Sequence, residues 1–161
     1  MHRIDKQNYY LDIAQTVLER ATCLRRVYGA IIVQNDEIIS TGYNGAPRGR
    51  ANCVDLGHCI RETLQVPSGQ RYELCRSVHA EANAIISAAR RDTCGATLYL
   101  VGKDARTGNL LPDATSCSMC RRLIINAGLK QVIIRRTPTE YEVVDVIDWV
   151  REDDSLPAPL D

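Results

Sequence analysis

The sequence predicts a mixed α/β protein in which helices cover the faces of a sheet. Two observations carry this. Apolar runs of strand type alternate with stretches of helical periodicity in the order α-β-β-α-β-α-β. The last two of these strands are separated by a helical segment, which implies a crossover connection. With 161 residues and no internal repeat or interdomain linker, the chain reads as a single domain, 1–161. A chain of this size can bury roughly 70% of its unfolded surface, so it needs no disulfide framework.

Taken in order, Tyr9, Tyr10, Ile13, Ala14, Val17, Leu18 and Ala21 recur at helical spacing, predicting an amphipathic helix over about 8–22. Ala30-Ile31-Ile32-Val33 and Ile38-Ile39 flank Gln34-Asn35-Asp36-Glu37, a tight strand–turn–strand. Glycines and prolines then dominate, leaving an irregular, cysteine-containing insertion at about 46–76. Residues 81–91 read as a buried helix begun near His79, and Thr97–Val101 as a strand. Ser118–Ala127 forms the next helix, with Gly128 placed to end it in the left-handed conformation. Gln131–Arg135 is a further strand. Tyr141–Val150 fits a strand or a helix equally, and about 152–161, with Leu156-Pro157-Ala158-Pro159, reads as a loose tail.

Composition narrows the function classes. Lys plus Arg and Asp plus Glu are both 20, and a formal charge of zero argues against a nucleic-acid coat or a membrane-surface protein. Met1–Asp5 has no apolar signal core, and no apolar run approaches the ~20 residues of a membrane span. The expected location is the cytoplasm. Seven cysteines in that reducing compartment point to metal or chemistry rather than disulfides, and the odd number fits a fully paired set poorly.

The chemistry concentrates in His79-Ala80-Glu81 and Cys117-Ser118-Met119-Cys120. One histidine and two cysteines supply three zinc ligands and leave a fourth position for water, the pattern of a catalytic rather than a closed structural zinc. Cys117 and Cys120 open a helix, where free N–H groups and the dipole favour thiolates. Glu81, roughly 200° around its helix from His79, cannot chelate with it, yet can carry the proton of a water at the open position. A lone Cys-x-x-Cys is compatible with a redox pair, a structural zinc or buried thiols, and a lone His-x-Glu with chance. Together, each opening a helix, they are specific.

These residues resemble the cytidine/deoxycytidylate deaminase family, and within it the dCMP deaminases. His-x-Glu with Cys-x-x-Cys is the zinc-deaminase signature. Tyr28–Val33, Ile39–Pro47 with Gly42-Tyr43-Asn44-Gly45, His79–Ile85, Gly95–Tyr99 and Cys117–Gly128 extend the likeness over about residues 22–135. The resemblance implies a three-layer α/β/α sandwich with a five-stranded mixed sheet. It implies zinc-dependent hydrolysis of dCMP to dUMP, supplying dTMP synthesis, and a homo-oligomer, often a hexamer. By the same likeness Glu81 shuttles the proton, Asn44 contacts sugar or base, and dCTP or dTTP act as effectors through Gly42, Tyr43, Asn44 and Gly45. Two features depart from the family: Ser116 stands where a proline usually precedes the first cysteine, and the 102–115 loop is long, a candidate lid or oligomer contact.

Cys23, Cys53, Cys59 and Cys75 remain, with His58 beside Cys59. A second, structural zinc would tie down the irregular insertion, and the likeness to deaminases that carry one extends to Cys23 and Cys53, with Cys59 favoured over His58. Cys94 reads as a packed thiol. A nucleotide substrate needs a cation for its phosphate, and Arg25, Arg26, Arg48 and Arg50 are the candidates, Arg48 foremost. Two other readings stand beside this one. A deaminase of another cytosine nucleoside or nucleotide, or of a tRNA base, shares the chemistry, although the absence of a basic run disfavours RNA. A non-catalytic zinc protein would need four protein ligands at each metal, where the His79 set has three.

Overall fold

The computed structural model describes residues 1–153; the Leu156–Pro159 part of the expected tail lies outside the described residues. Five strands form one sheet: β1 (Arg26–Gln34), β2 (Glu37–Tyr43), β3 (Thr97–Asp104), β4 (Gln131–Arg135) and β5 (Tyr141–Asp145), in the order β2-β1-β3-β4-β5. Only β3 and β4 pair in parallel; the other neighbours are antiparallel. The helices are α1 (Lys6–Leu18), α2 (Cys53–Leu56), α3 (Ile60–Thr63), α4 (Ala80–Ile86), α5 (Arg90–Thr93), α6 (Ser118–Asn126) and α7 (Val146–Arg151). The expected crossover is α6, which joins β3 to β4.

Period-two alternation along the strands divides the core in two. Ile31, Val33, Tyr99, Val101 and Ile133 face Tyr10, Leu11, Ala14 and Leu18 of α1. Ala30, Ile32, Leu98, Leu100, Val132 and Ile134 face Ala80 and Ala84 of α4, Ile124 of α6 and Val146 of α7. The three-layer expectation is met. The α1 layer is also pinned by a buried cation. Arg135, on β4, reaches Asp12 at 2.8 Å, Gln15 at 2.9 Å and the Asn8 side chain at 3.2 Å.

Several elements differ from the sequence reading for local reasons. Helix α1 starts earlier, because the Asp5 carboxylate accepts the Asn8 amide at 2.9 Å, and ends earlier, at the Glu19 cap. The β1–β2 turn places Asn35 and Asp36 at φ 51° and 63°, the two-residue geometry that matches strand twist. The 81–91 helix is two helices, α4 and α5, broken after Ile86. The ambiguous 141–150 stretch is a strand and then a helix, with Asp145 as the hinge. Gly128 ends α6 at φ 76°, as expected.

The irregular insertion keeps little regular structure: α2, α3 and one 3₁₀ turn at Tyr72–Leu74. The long 102–115 loop is not a free flap. It folds back so that the Leu111 amide donates to the Gly102 carbonyl at 3.0 Å, and it buries Leu111 and Ala114 in the core. Arg136 Nη1 donates to the Ala114 carbonyl at 2.6 Å, closing it from the far side.

One close approach seats the helix on which His79 and Glu81 stand. A Cβ on Gly42 would lie 2.3 Å from the Ala80 carbonyl oxygen and 2.5 Å from the Ala84 nitrogen, so β2 and α4 touch backbone to backbone there. Ser40 Oγ donates to the Ala84 carbonyl at 2.7 Å and Asn83 Nδ2 to the Tyr43 carbonyl at 2.8 Å. A bridge between Gly45 and Val78 continues the contact to the residue before His79. Gly42→Ala is therefore expected to lose about 1–3 kcal/mol of stability through overpacking against backbone that cannot rotate away. Urea unfolding with an unchanged m-value would register it as a lower midpoint.

Candidate active site

Two helix starts converge. His79 is the N-cap residue of α4 and Cys117 that of α6, both in extended backbone geometry. The His79 Nδ1 atom lies 3.5 Å from Cys117 Sγ and 3.4 Å from Cys120 Sγ. These three ligand atoms fall within 4.8 Å of one another, the only such group found among the described residues. Ligands on a tetrahedron with bonds of about 2.0–2.3 Å stand roughly 3.6 Å apart, so the spacing fits a zinc ion.

The charges agree with the distances. Cys117 is held down to about 4, chiefly by its hydrogen bond with Cys120, against the opposing effect of burial and with further help from His79. Cys120 is driven upward by the same bond and by burial. Burial works against a charged His79, yet contact with Cys117 and Cys75 lifts the ring to about 10. Two thiols thus compete for one negative charge beside a proton-holding imidazole, a conflict that a divalent cation resolves by taking both sulfurs as thiolates and the ring as a neutral ligand.

Glu81 follows on the first turn of α4 and is 4% exposed. Burial raises its carboxyl above the usual range. It opens into a cleft of roughly 890 Å³, counting the open mouth, together with His79, Cys117, Thr115, Tyr28, Asn44 and Tyr72. Tyr72 meets His79 edge-on, with ring centroids 5.2 Å apart at 89°. At the Ser116 turn, Arg121 Nε donates to the Ser116 carbonyl at 3.0 Å, tying α6 to the residue before Cys117.

The sequence-expected residues divide between two faces. Asn44 lines the cleft, but its side chain is engaged: Oδ1 accepts the Tyr28 amide at 2.8 Å and Nδ2 donates to the Arg26 carbonyl at 2.9 Å. One Nδ2 hydrogen is left for a ligand. Gly42, Tyr43 and Gly45 line a separate groove with Arg48, Asn83 and Ser87. Of the four candidate arginines, Arg25 and Arg26 border the cleft, whereas Arg48 does not. Cys23, Cys53, Cys59 and Cys75 all border it as well, while His58 is exposed and turned to the Leu56 carbonyl at 3.2 Å.

Tyr28, Tyr72, Arg61 and Arg76 also line the cleft and were not singled out as site residues from the sequence. Tyr28 had a signal: it alternates with Ala30 and Ile32 on the strand face that points to α4. Tyr72, inside the aperiodic insertion, had none.

Comparison with known proteins agrees with this geometry. Residues 4–136 match the family model described as the cytidine and deoxycytidylate deaminase zinc-binding region. The deoxycytidylate deaminase of Mycobacterium phage D29 is 36% identical over 137 residues, covering 83% of this chain and 96% of that protein. That of Schizosaccharomyces pombe is 32% identical over 78% of this chain, which spans about a third (35%) of the yeast protein's length. Among solved structures, the dCMP deaminase of cyanophage S-TIM5, in complex with dCMP and dUMP, superposes with a TM-score of 0.58 at 22% identity, over 94% of each chain. The cytidine deaminase of Burkholderia pseudomallei gives a TM-score of 0.59 at 20% identity, over 90% of this chain and 95% of that one. With its sandwich fold and its histidine–cysteine–cysteine cluster beside a buried glutamate, the chain belongs to the cytidine and deoxycytidylate deaminase family.

Proposed function

We propose that the protein catalyses the hydrolytic deamination of dCMP to dUMP, with zinc held by His79, Cys117 and Cys120, in the supply of deoxyuridylate for dTMP. The observation that carries this is the buried Glu81 on the helix turn that follows His79, facing the same cleft as the three-ligand cluster. Thirty-six percent identity to a phage deoxycytidylate deaminase over nearly its whole length supports the substrate.

Bound there, zinc supplies Lewis-acid activation of a water molecule. Glu81 takes one proton from the attacking water and delivers it to N3 of cytosine, then takes the second from the new C4 hydroxyl and passes it to the amine leaving C4, so that the C4 carbonyl forms as ammonia departs. Its raised affinity for a proton, caused by burial, suits a group that must hold one between transfers. Asn44 fixes the β1 backbone that forms one cleft wall and has one amide hydrogen left for the sugar. The aromatic walls Tyr28 and Tyr72 exclude water around the base.

The finer parts of the proposal concern regulation and a second metal. Arg48 gives the groove of Gly42, Tyr43 and Gly45 a cation for a nucleotide triphosphate, so dCTP and dTTP are the effectors to try there. A second, structural zinc on Cys23, Cys53, Cys59 and Cys75 is supported by their common position on the cleft wall and by the mutual influence of Cys53 with the other three. No three of them lie within the 4.8 Å spacing of the first cluster, so a metal there would draw the insertion inward. A cytoplasmic homo-oligomer is the expected working form; no helix among the described residues is long and apolar enough to cross a membrane.

Glu81→Gln is expected to keep bound zinc while lowering kcat by orders of magnitude; full activity in that variant would sink the mechanism. Side-by-side rates on dCMP, dCTP, cytidine and deoxycytidine, with and without dCTP and dTTP as effectors, are expected to rank dCMP first. Metal analysis separates the zinc assignments. About two zincs per chain, falling to one in Cys117→Ser, supports both sites, and one per chain in the parent removes the second.

A further inference from the structure

The two cysteines of the metal cluster are supported differently. Cys120 lies inside the first turn of α6 and moves with that helix, whereas Cys117 precedes it as the N-cap, in extended backbone. The place of Cys117 is therefore set by the loop that leads into it. Two arginines hold that loop, mainly by its carbonyls. Arg121 Nε donates to the Ser116 carbonyl at 3.0 Å, and its Nη2 to Thr115 Oγ1 at 3.5 Å. Arg136 Nη1 donates to the Ala114 carbonyl at 2.6 Å and to the Pro112 carbonyl at 3.2 Å. Ser116 itself is buried, and its Oγ finds no hydrogen-bond partner among the described residues. The turn before Cys117 is tied through its backbone.

Both arginines are backed by the same unit, the strand β5 and the helix α7 that follows it. Trp149 of α7 faces the Arg121 guanidinium, whose Cζ stands 4.8 Å from the ring centroid. Glu142 of β5 accepts from Arg136 Nε at 3.0 Å and pairs with its Nη2. The unit is itself anchored. Strand β5 pairs with β4 along its whole length, Val146 is buried in the core, and Trp149 packs against the same cluster. A long arginine stem loses rotamer freedom when it is held in one geometry. An aromatic face beside one guanidinium and a carboxylate on the other set their directions before either meets a carbonyl.

We propose that the β5–α7 unit braces the metal site from behind, with Arg121 and Arg136 as positioning residues that keep Cys117 within reach of the ion. The inference rests on the zinc reading of His79, Cys117 and Cys120. It goes beyond that reading because Arg121, Arg136, Glu142 and Trp149 all lie outside the lining of the active-site cleft. A zinc–sulfur bond has a narrow length, about 2.3 Å, so a loop that drifts gives up its ligand. Groups that orient metal ligands weigh about 10- to 100-fold in metal affinity. If Trp149 merely covered the core, its loss would change zinc release only as far as it changed the stability of the whole fold.

The test is the rate at which the zinc-loaded protein gives up metal to an excess of a colorimetric chelator, with urea unfolding of each variant alongside. The phase that disappears in Cys117→Ser belongs to this site. Arg121→Met keeps an apolar stem against Trp149 and so keeps the fold; it is expected to speed that phase about 10- to 100-fold. Trp149→Leu and Arg136→Met are expected to speed it several-fold, and Trp149→Phe, which keeps an aromatic face, to stay near the parent. Adding Trp149→Leu to Arg121→Met is expected to change little, because the tryptophan acts through the arginine. Leu11→Ala, a core truncation on the opposite face of the sheet, is expected to lower the urea midpoint and leave zinc release alone. Parental release from Arg121→Met, Trp149→Leu or Arg136→Met overturns the proposal, as does equal acceleration in Leu11→Ala or effects of Arg121→Met and Trp149→Leu that simply multiply. A parent with no zinc phase that depends on Cys117 removes the metal assignment and this inference with it.

Discussion

Two thiols, an imidazole and a carboxylate crowd one buried corner of this molecule, and the conflict among their charges is the constraint on which the rest depends. In water each would ionise as it pleased. Here Cys117 is held as a thiolate only at the cost of driving Cys120 the other way, and Glu81 is pushed toward its neutral form by burial. A divalent cation held between His79, Cys117 and Cys120 turns that conflict into coordination. Glu81 stands buried beside that set, and it is the group the proposed mechanism uses to move protons.

Meeting the constraint requires two helix starts within about one ligand length of each other, and the fold is arranged to deliver them. The crossover between the parallel strands β3 and β4 brings the start of α6 to the cleft. The start of α4 is brought there by backbone contact with β2 at Gly42, with Ser40 and Asn83 closing the seam. On the far face of the sheet, Arg135 and its partners Asp12, Gln15 and Asn8 clamp α1. A buried charge is costly unless its hydrogen bonds are made, so that clamp contributes to specificity of packing more than to net stability.

Much of this was legible in the sequence because it is local. Helix periodicity, the Asn35-Asp36 turn, the Gly128 stop and the types of the three metal ligands are properties of residues and their near neighbours. Helix lengths were less legible: α4 was read too long because Ala88 and Ala89 continue an apolar pattern that the chain does not use. The Tyr141–Val150 stretch resisted assignment for a physical reason. It is half strand, paired edgewise to β4, and half helix, and no single period describes both. The Gly42–Gly45 segment, read as an effector region from family likeness, is in the structure the seat of α4, the helix that carries Glu81 and is capped by His79. Glycine at 42 is needed for a close approach that sequence alone cannot announce.

What the sequence by itself determined is the chemistry: a soft, three-ligand metal set with a glutamate next to it, in an α/β order that admits few sheets. Those follow from side-chain type and short-range spacing, which do not change on folding. Only the tertiary structure decided which arginines face that chemistry. Arg25, Arg26, Arg48 and Arg50 look alike in one dimension, yet strand pleating, the β2–β1–β3 order and the Asn44 bridge turn Arg26 toward the cleft and leave Arg48 in another groove. The same holds for Tyr28, whose place depends on a glycine 74 positions away, 102 minus 28, that only the β1–β3 register brings beside it. Long-range register is set by the whole core at once, and no local pattern encodes it.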